Sequence, residues 1–113
     1  MNNRAIGNIG EEAACRLLEE KGYVIRERNY RCRLGEIDII ACRENRICFV
    51  EVKTRQSGRF GSPCEAVDGE KKKRMLLTAK CYIKELESRG EIFDSRFEFQ
   101  VVEIMARHIE NAF

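Results

Sequence analysis

The stretch GEIDIIACRENRICFVEVK, residues 35–53, is typical of a β-hairpin. Two largely apolar strands are predicted at 35–40 and 46–53. Arg43-Glu44-Asn45-Arg46 is the only polar break between them, and a two-residue turn at Glu44-Asn45 would close them. In that register Phe49 faces Ile40, and Glu51 faces Asp38.

The hairpin register predicts a cluster of charged side chains, Asp38, Glu51 and Lys53, on an otherwise apolar sheet. Lys53 follows Glu51 by two residues and therefore points to the same face. Facing carboxylates repel, and burial raises the cost, so Asp38 and Glu51 need a shared proton, a cation or water. A divalent metal offsets this cost best, because hard cations take carboxylate oxygens. The break in the apolar pattern indicates a functional site, and the alternative is a solvated face with a Glu–Lys pair.

Length and composition indicate a single domain over residues 1–113. The chain is 35% charged and 43% apolar, as globular proteins are. No segment approaches the ~20 apolar residues of a membrane span, and no secretory signal is visible at the N-terminus. We therefore expect a cytoplasmic protein without a membrane partner.

Six cysteines are scattered without a C-x-x-C motif, and there is one histidine, His108. This spacing does not suit structural zinc, and a disulfide framework is not expected without a secretory signal. We interpret most of the cysteines as small buried hydrophobes, with an iron–sulfur cluster on four of them as the alternative. They are Cys15, Cys32, Cys42, Cys48, Cys64 and Cys81.

Helical periodicity predicts a first helix over 3–21 that stops at Gly22. Its predicted buried stripe is Ile6, Ile9, Ala13 and Leu17, widened by Ala14 and Leu18. Glu11 would lie at the edge of that stripe, facing a cleft, and Glu12 would be solvated. The alternative for Glu11 is a favourable interaction with the helix dipole. Gly7 and Gly10 each cost roughly 1 kcal/mol in a helix and permit close approach of another backbone.

The remaining elements follow from turn and capping signals. A strand is predicted at 23–30, a turn at 31–35 and a loop at 54–61. Ser62-Pro63-Cys64-Glu65 fits a capping box, and Asp68 would cap a helix reaching Ser88, with Gly90 after it. The buried stripe of this helix is predicted as Met75, Leu76, Ala79, Ile83 and Leu86.

A last strand is predicted at 96–105, with Phe97, Phe99 and Val101 alternating with Glu98, Gln100 and Val102. The order α-β-β-β-α-β predicts an α/β fold, in which a mixed central sheet is flanked by helices.

This order, with Asp38 on the second strand and Glu51-Val52-Lys53 on the third, resembles the PD-(D/E)XK restriction-endonuclease-like core. The chain resembles more closely the UPF0102 (YraN) family, whose fold is related to that of Holliday junction resolvases. The matching segments are Gly7-x-x-Gly10-Glu11, Gly22-Tyr23, Arg28-Asn29-Tyr30-Arg31, Gly35-Glu36-Ile37-Asp38, Phe49 to Arg55, Phe60-Gly61 and Ala66-Val67. Ile37 stands where the superfamily motif has proline, which leaves the carboxylate in place.

The resemblance implies a metal-dependent nuclease. Asp38 and Glu51 would bind Mg²⁺ or Mn²⁺ with the backbone carbonyl of Val52, and Glu11 would reach the ion directly or through water. Lys53 would orient or deprotonate the attacking water and offset charge on the phosphate. Glu36 would be an auxiliary acid or the partner of Lys53.

Basic residues cluster despite a net charge of only +2, which suits a polyanion. For any single run, the alternative is a solvated face. The expected phosphate contacts are Arg31, Arg33, Arg55, Arg59, Lys71, Lys72, Lys73 and Arg74. Tyr30, Phe60 and Tyr82 are candidates for base stacking, with core packing as the alternative.

The favoured function is an endonuclease that cuts DNA, read by shape and by analogy branched, with a homodimer supplying two sites. The alternatives are a nucleic-acid-binding module with weak or no catalysis, and an adaptor that acts through a protein partner.

Overall fold

The computed structural model describes residues 3–56, 69–91, 93, 96–106 and 110–111. The elements are α1 (Asn3–Glu20), β1 (Val24–Cys32), β2 (Gly35–Arg43), β3 (Arg46–Gln56), α2 (Gly69–Ser88) and β4 (Glu98–Ala106). The strands form one sheet in the order β1-β2-β3-β4, in which β4 runs parallel to β3 and the other pairs are antiparallel. The predicted α/β core with the order α-β-β-β-α-β is confirmed.

The predicted hairpin between β2 and β3 is also confirmed. Arg43 pairs with Arg46 and Ile40 with Phe49. Glu44 and Asn45 both have left-handed backbone, with φ of 51° and 63°. Positive φ at both central residues is what a two-residue turn requires to match the twist of the strands.

Both helices end at the glycines that the sequence indicates. Gly22 has φ of 92°, and Gly90 has φ of 75°. The amide of Tyr23 donates to the Leu18 carbonyl at 3.0 Å, and the amide of Glu91 donates in the same way to Leu86. These bonds satisfy carbonyls that a helix end otherwise leaves unpaired. The predicted caps at Ser62–Glu65 and Asp68 lie outside the described residues.

The two helices cover opposite faces of the sheet and bury both. The α1 face contains Ile39, Ala41, Cys48 and Val50, and the α2 face contains Ile37, Ile40, Ile47 and Phe49. Strands buried on both faces are nearly continuous apolar runs. This burial explains why β2 and the first half of β3 carry so few polar residues.

The buried stripe predicted for α1 is wrong at two of its four positions. Ile9 and Leu17 are exposed, whereas Ala14 and Leu18 are buried. The helix is rotated about its axis relative to the predicted orientation, so that Gly10 faces the sheet. A Cβ on Gly10 would lie 1.9 Å from the Thr54 hydroxyl, so only glycine permits this approach. Gly7 has no neighbour within 4 Å of such a Cβ, and no close approach is made there.

The predicted stripes on α2 and β4 need smaller corrections. Met75, Ala79 and Leu86 are buried as predicted, but Leu76 is exposed, and Thr78 and Tyr82 are buried instead. On β4, Val102 was assigned to the polar side and is buried, whereas Phe99 is half exposed. Val102 packs in the hydrophobic cluster under α1. The prediction treated that face of β4 as open to solvent, but α1 covers it.

Five cysteines lie in the described residues, and all are free. Cys15 and Cys48 are buried, and Cys32, Cys42 and Cys81 are half-buried. Two of the five thus match the predicted small buried hydrophobe. In the described ranges, no three side chains among His, Cys, Asp and Glu are grouped to hold a metal ion, so these five cysteines form no cluster site. None of the described helices is long and apolar enough to span a membrane.

Candidate functional site

The site forms where β2 and β3 stop pairing. Their main-chain register ends at Ile39 and Val50. Beyond that point a side chain replaces the main-chain pairing: Asp38 Oδ2 accepts a hydrogen bond from the Val52 amide at 2.8 Å. One oxygen of Asp38 is therefore committed to holding the strand opening in shape.

A backbone irregularity in β1 lies across from Asp38. Arg28 pairs with Ile39 and Tyr30 with Ile37, and the residue between them, Asn29, has φ of 53°. Ile37 and Ile39 would share one face of a regular strand, yet they pack under opposite helices. The sheet thus changes its side-chain alternation at the Asn29–Asp38 position.

Glu51 is the buried acid of the site. The residue is 5% exposed, on the face that α2 covers. Lys71, from the first turn of α2, donates to Glu51 Oε1. Burial raises the pKa of the Glu51 carboxyl above its usual range, and Asp38 adds to that shift through its charge and a side-chain hydrogen bond, while the Lys71 ammonium opposes it. Asp38 and Glu51 are thus in contact, on a shared patch of the sheet.

Lys53 and Arg55 continue the same face of β3. Lys53 pairs in register with Glu103 of β4. The Arg55 Nε lies 2.9 Å from Glu103 Oε1, although the angle is not that of a hydrogen bond. Arg55, expected to contact phosphate, is thus held by Glu103. Glu36, expected as a partner of Lys53, forms an ion pair with Arg31 at 3.1 Å.

Glu11 approaches from α1 on the other face of the sheet. Asn29 Nδ2 donates to Glu11 Oε2 at 3.3 Å, and an Arg28 nitrogen lies 4.0 Å from the same oxygen. Glu12 is half exposed, as its predicted solvation requires, and it also forms an ion pair with Arg28 at 2.9 Å. Glu11 therefore lies against the residue across from Asp38. Within the described ranges it does not join Asp38 and Glu51 in a three-carboxylate group.

The donor set of two touching carboxylates fits a small hard cation. Mg²⁺ is usually bound by one or two carboxylates, with water and substrate phosphate completing its shell. A carboxylate oxygen accepts more than one hydrogen bond or ligand, and the buried Glu51 carboxylate requires a nearby positive charge to stay ionised. Mn²⁺ suits the same oxygen ligands.

A group of basic side chains, here called the basic surface, lies beside the site. The turn after β1 packs on α2, since a Cβ on Gly35 would lie 2.9 Å from the Thr78 hydroxyl and 3.5 Å from Arg74 Cβ. That contact brings the turn and the start of α2 together, and all four side chains of the surface are exposed. The basic surface consists of Arg31, Arg33, Lys72 and Arg74. Arg59 lies outside the described residues.

The stacking candidates inside the described residues are core residues. Tyr30 and Tyr82 are buried and meet edge to face, with ring centroids 5.1 Å apart. The Tyr30 hydroxyl donates to Glu85 at 2.7 Å, and the Tyr82 hydroxyl accepts from Arg26 at 2.8 Å. Phe60 lies outside the described residues.

The chain matches one protein family over most of its length. The family model, described as "Uncharacterised protein family UPF0102", covers residues 10–104. The chain belongs to the UPF0102 family. It is 43% identical to a UPF0102 protein of Clostridium acetobutylicum over 98% of this chain and 95% of that one. It is 53% identical to a UPF0102 protein of Moorella thermoacetica over 80% of this chain and 72% of that one.

Sequence reasoning missed three contacts in the site of this UPF0102 protein. Lys71, which was predicted to contact phosphate, forms an ion pair with Glu51 that the sequence did not indicate. Asn29 carries the irregular backbone and holds Glu11, and Glu103 lies against Arg55. The available signal for Asn29 was its residue type, because asparagine tolerates left-handed backbone better than most residues.

Proposed function

We propose that this UPF0102 protein is a cytoplasmic, metal-dependent endonuclease that hydrolyses DNA phosphodiester bonds. The observation that carries the proposal is Glu51, a buried carboxylate in contact with Asp38 and with a lysine ammonium. Such a cluster is costly for stability alone, because removing charges from water costs several kcal/mol per ion. Costly local arrangements are typical of functional sites.

Asp38, Glu51 and the Val52 carbonyl would hold Mg²⁺ or Mn²⁺. The ion supplies electrostatic stabilisation of the phosphate as charge develops during attack. Asp38 also fixes the Val52 amide, so the same side chain sets the position of the neighbouring peptide group. The proposed ligands would lie on two neighbouring strands, β2 and β3, which favours a fixed geometry.

Lys53 would act on the phosphate and the attacking water. It follows Glu51 by one pleat and pairs in register with Glu103, whose carboxylate forms an ion pair with Arg55. An ammonium there offsets negative charge on the phosphate and orients the water. Glu11 would act through Asn29, the residue across from Asp38, or through water.

The basic surface would hold the DNA backbone. Exposed arginine and lysine side chains contact phosphates without reading sequence, which suits recognition by shape. Branched DNA is the favoured substrate by analogy of fold. Cutting both strands at a branch requires two sites, which a homodimer provides.

A nicking assay tests the proposal. Branched and linear DNA are incubated with Mg²⁺ or Mn²⁺ and with the wild type, Glu51→Gln or Glu12→Gln. Glu51→Gln keeps the shape of the side chain and removes its charge, so we expect a loss of about 100-fold or more, comparable to losing one key electrostatic contact. Glu12 is half exposed on α1, and its variant should cleave like the wild type. Equal cleavage by all three proteins would assign the activity to a contaminant.

A nucleic-acid-binding module without catalysis is the second candidate. The contact between Lys71 and Glu51 favours it, because an ammonium already compensates the buried charge without a metal. The same proteins distinguish the two functions. Binding of DNA at low salt with no cleavage in either metal supports the module.

A further inference from the structure

The amine of Lys71 occupies an oxygen that the proposed metal would need. Lys71 is the third residue of α2. Its aliphatic chain reaches from the helix to β3, where the ammonium contacts Glu51 Oε1. The Glu51 side chain is 7% exposed, whereas that of Lys71 is 36% exposed. Glu51 is enclosed in the sheet, whereas the more exposed Lys71 side chain can move away from it into solvent.

Two cations cannot share that oxygen without cost. The Asp38 and Glu51 carboxylates lie in contact, so the pair needs positive charge whether or not a metal is bound. A divalent ion on the same carboxylates repels the ammonium at close range. Binding of the ion and the Lys71 contact therefore oppose each other.

We propose that Lys71 is an exchangeable counter-ion, which neutralises Glu51 in the metal-free protein and is displaced from it when a divalent cation binds. The inference rests on the proposed metal site. The displaced ammonium is then available to a phosphate of the nucleic acid, next to Lys72 and Arg74 of the basic surface. Metal and DNA would bind with positive coupling, because either ligand would favour the state in which the Lys71–Glu51 ion pair is already broken.

Calorimetry with Mn²⁺ alone, without DNA, tests the exchange at about pH 8, where carboxylates are ionised. Lys71→Met removes the charge and keeps the length of the side chain. We expect its affinity for Mn²⁺ to rise about tenfold over the wild type, a change of about 1.4 kcal/mol. Lys71→Arg keeps the charge and should stay near the wild type. Lys80→Met, on an exposed position of α2, should not change the affinity.

Thermal unfolding gives a second readout that does not depend on cleavage. Without metal, Lys71→Met should melt below the wild type, because Asp38 and Glu51 then repel without a counter-ion. Added Mn²⁺ should raise its melting temperature more than that of the wild type. If Lys71→Met folds poorly, the comparison of Lys71→Arg with the wild type decides: a large gain in Mn²⁺ affinity with arginine contradicts the exchange.

The outcomes separate this inference from the proposed function. Equal or weaker Mn²⁺ binding by Lys71→Met, with clear binding by the wild type, overturns the exchange and leaves the metal site standing. No Mn²⁺ binding by the wild type or by either Lys71 variant overturns both. Tighter binding by Lys71→Met alone supports both.

Discussion

Asn29 of β1 lies across the sheet from Asp38 of β2, and its backbone is left-handed where its neighbours are extended. Its side chain donates to Glu11 of α1. A single residue thus joins the first helix to the strand that carries the proposed metal ligand. The irregular backbone also separates Ile37 from Ile39, which pack on opposite faces of the sheet.

Replacing Asn29 should separate the cost of its backbone from the cost of its side chain. Asn29→Ala loses the bond to Glu11 and keeps an unfavourable backbone, which costs about 1–2 kcal/mol for an ordinary residue. Asn29→Gly loses the same bond without that penalty. We expect the glycine variant to be more stable by about 1 kcal/mol in urea unfolding. An alanine variant as stable as the glycine variant would refute the left-handed backbone.

Asp38 has two separable roles, and two variants distinguish them. Asp38→Asn keeps an oxygen that can accept from Val52, so the fold should hold while Mn²⁺ binding and cleavage are lost. Asp38→Ala leaves the Val52 amide without its acceptor, which costs about 1–3 kcal/mol when the group is buried. Unfolding in urea and calorimetry measure the two effects. Equal stability of the two variants would exclude a structural role for the carboxylate.

Gly10 and Gly7 lie one turn apart on α1 and should respond oppositely to alanine. Gly10→Ala places a methyl group 1.9 Å from the Thr54 hydroxyl, and overpacking of this kind costs about 1–3 kcal/mol. Gly7→Ala meets nothing within 4 Å and should gain up to about 1 kcal/mol of helix stability.

A double variant tests whether Thr54 is the cause. Thr54→Ala removes the hydroxyl, so Gly10→Ala should cost less in that background, although the Thr54 Cβ at 3.2 Å remains tight. Equal costs of Gly10→Ala in both backgrounds would place the strain elsewhere.

The hairpin was predictable because its information is local. The turn at Glu44-Asn45 fixes the register, and the register places Asp38 near Glu51. The ends of both helices were predictable for the same reason, since glycine at the end of a helix supplies left-handed backbone. These features depend on residues that are close in the sequence.

What was not predictable depends on contacts between distant segments. The buried face of α1 is selected by the approach of Gly10 to Thr54, which helical periodicity does not contain. The partner of Lys71 lies in β3, and spacing along the chain cannot tell an ammonium that binds a carboxylate from one that binds phosphate. The ion pair of Arg55 was missed for the same reason, because its partner Glu103 lies in the last strand.

Cys48 should make the protein sensitive to alkali. Burial raises the pKa of its thiol to about 12 from an ordinary value of 9.0, with the Glu98 charge adding and Arg43 opposing. The folded state therefore holds this proton more tightly than the unfolded chain does. The stabilisation is complete below about pH 9 and is lost as pH rises toward 12, by up to about 1.4 kcal/mol per pH unit.

The comparison with Cys48→Ala measures this loss. The variant should be less stable at neutral pH, because a buried group is removed, but its free energy of unfolding should fall less steeply above pH 9. Denaturant unfolding at a series of alkaline pH values gives both slopes. Parallel slopes would mean that Cys48 ionises as readily in the folded protein as in the unfolded chain.

The basic surface should determine how DNA affinity depends on salt. Each phosphate contact that is lost lowers the slope of log affinity against log salt by about 1. Arg33→Ala and Lys72→Ala should each reduce the slope by about that amount, equally for unrelated DNA sequences, when binding is measured without divalent metal. Arg16 has a side chain 75% exposed on α1, the helix that covers the opposite sheet face, and Arg16→Ala should leave the slope unchanged. A reduction as large for Arg16→Ala as for Lys72→Ala would mean that the DNA does not lie on the face beside Glu51.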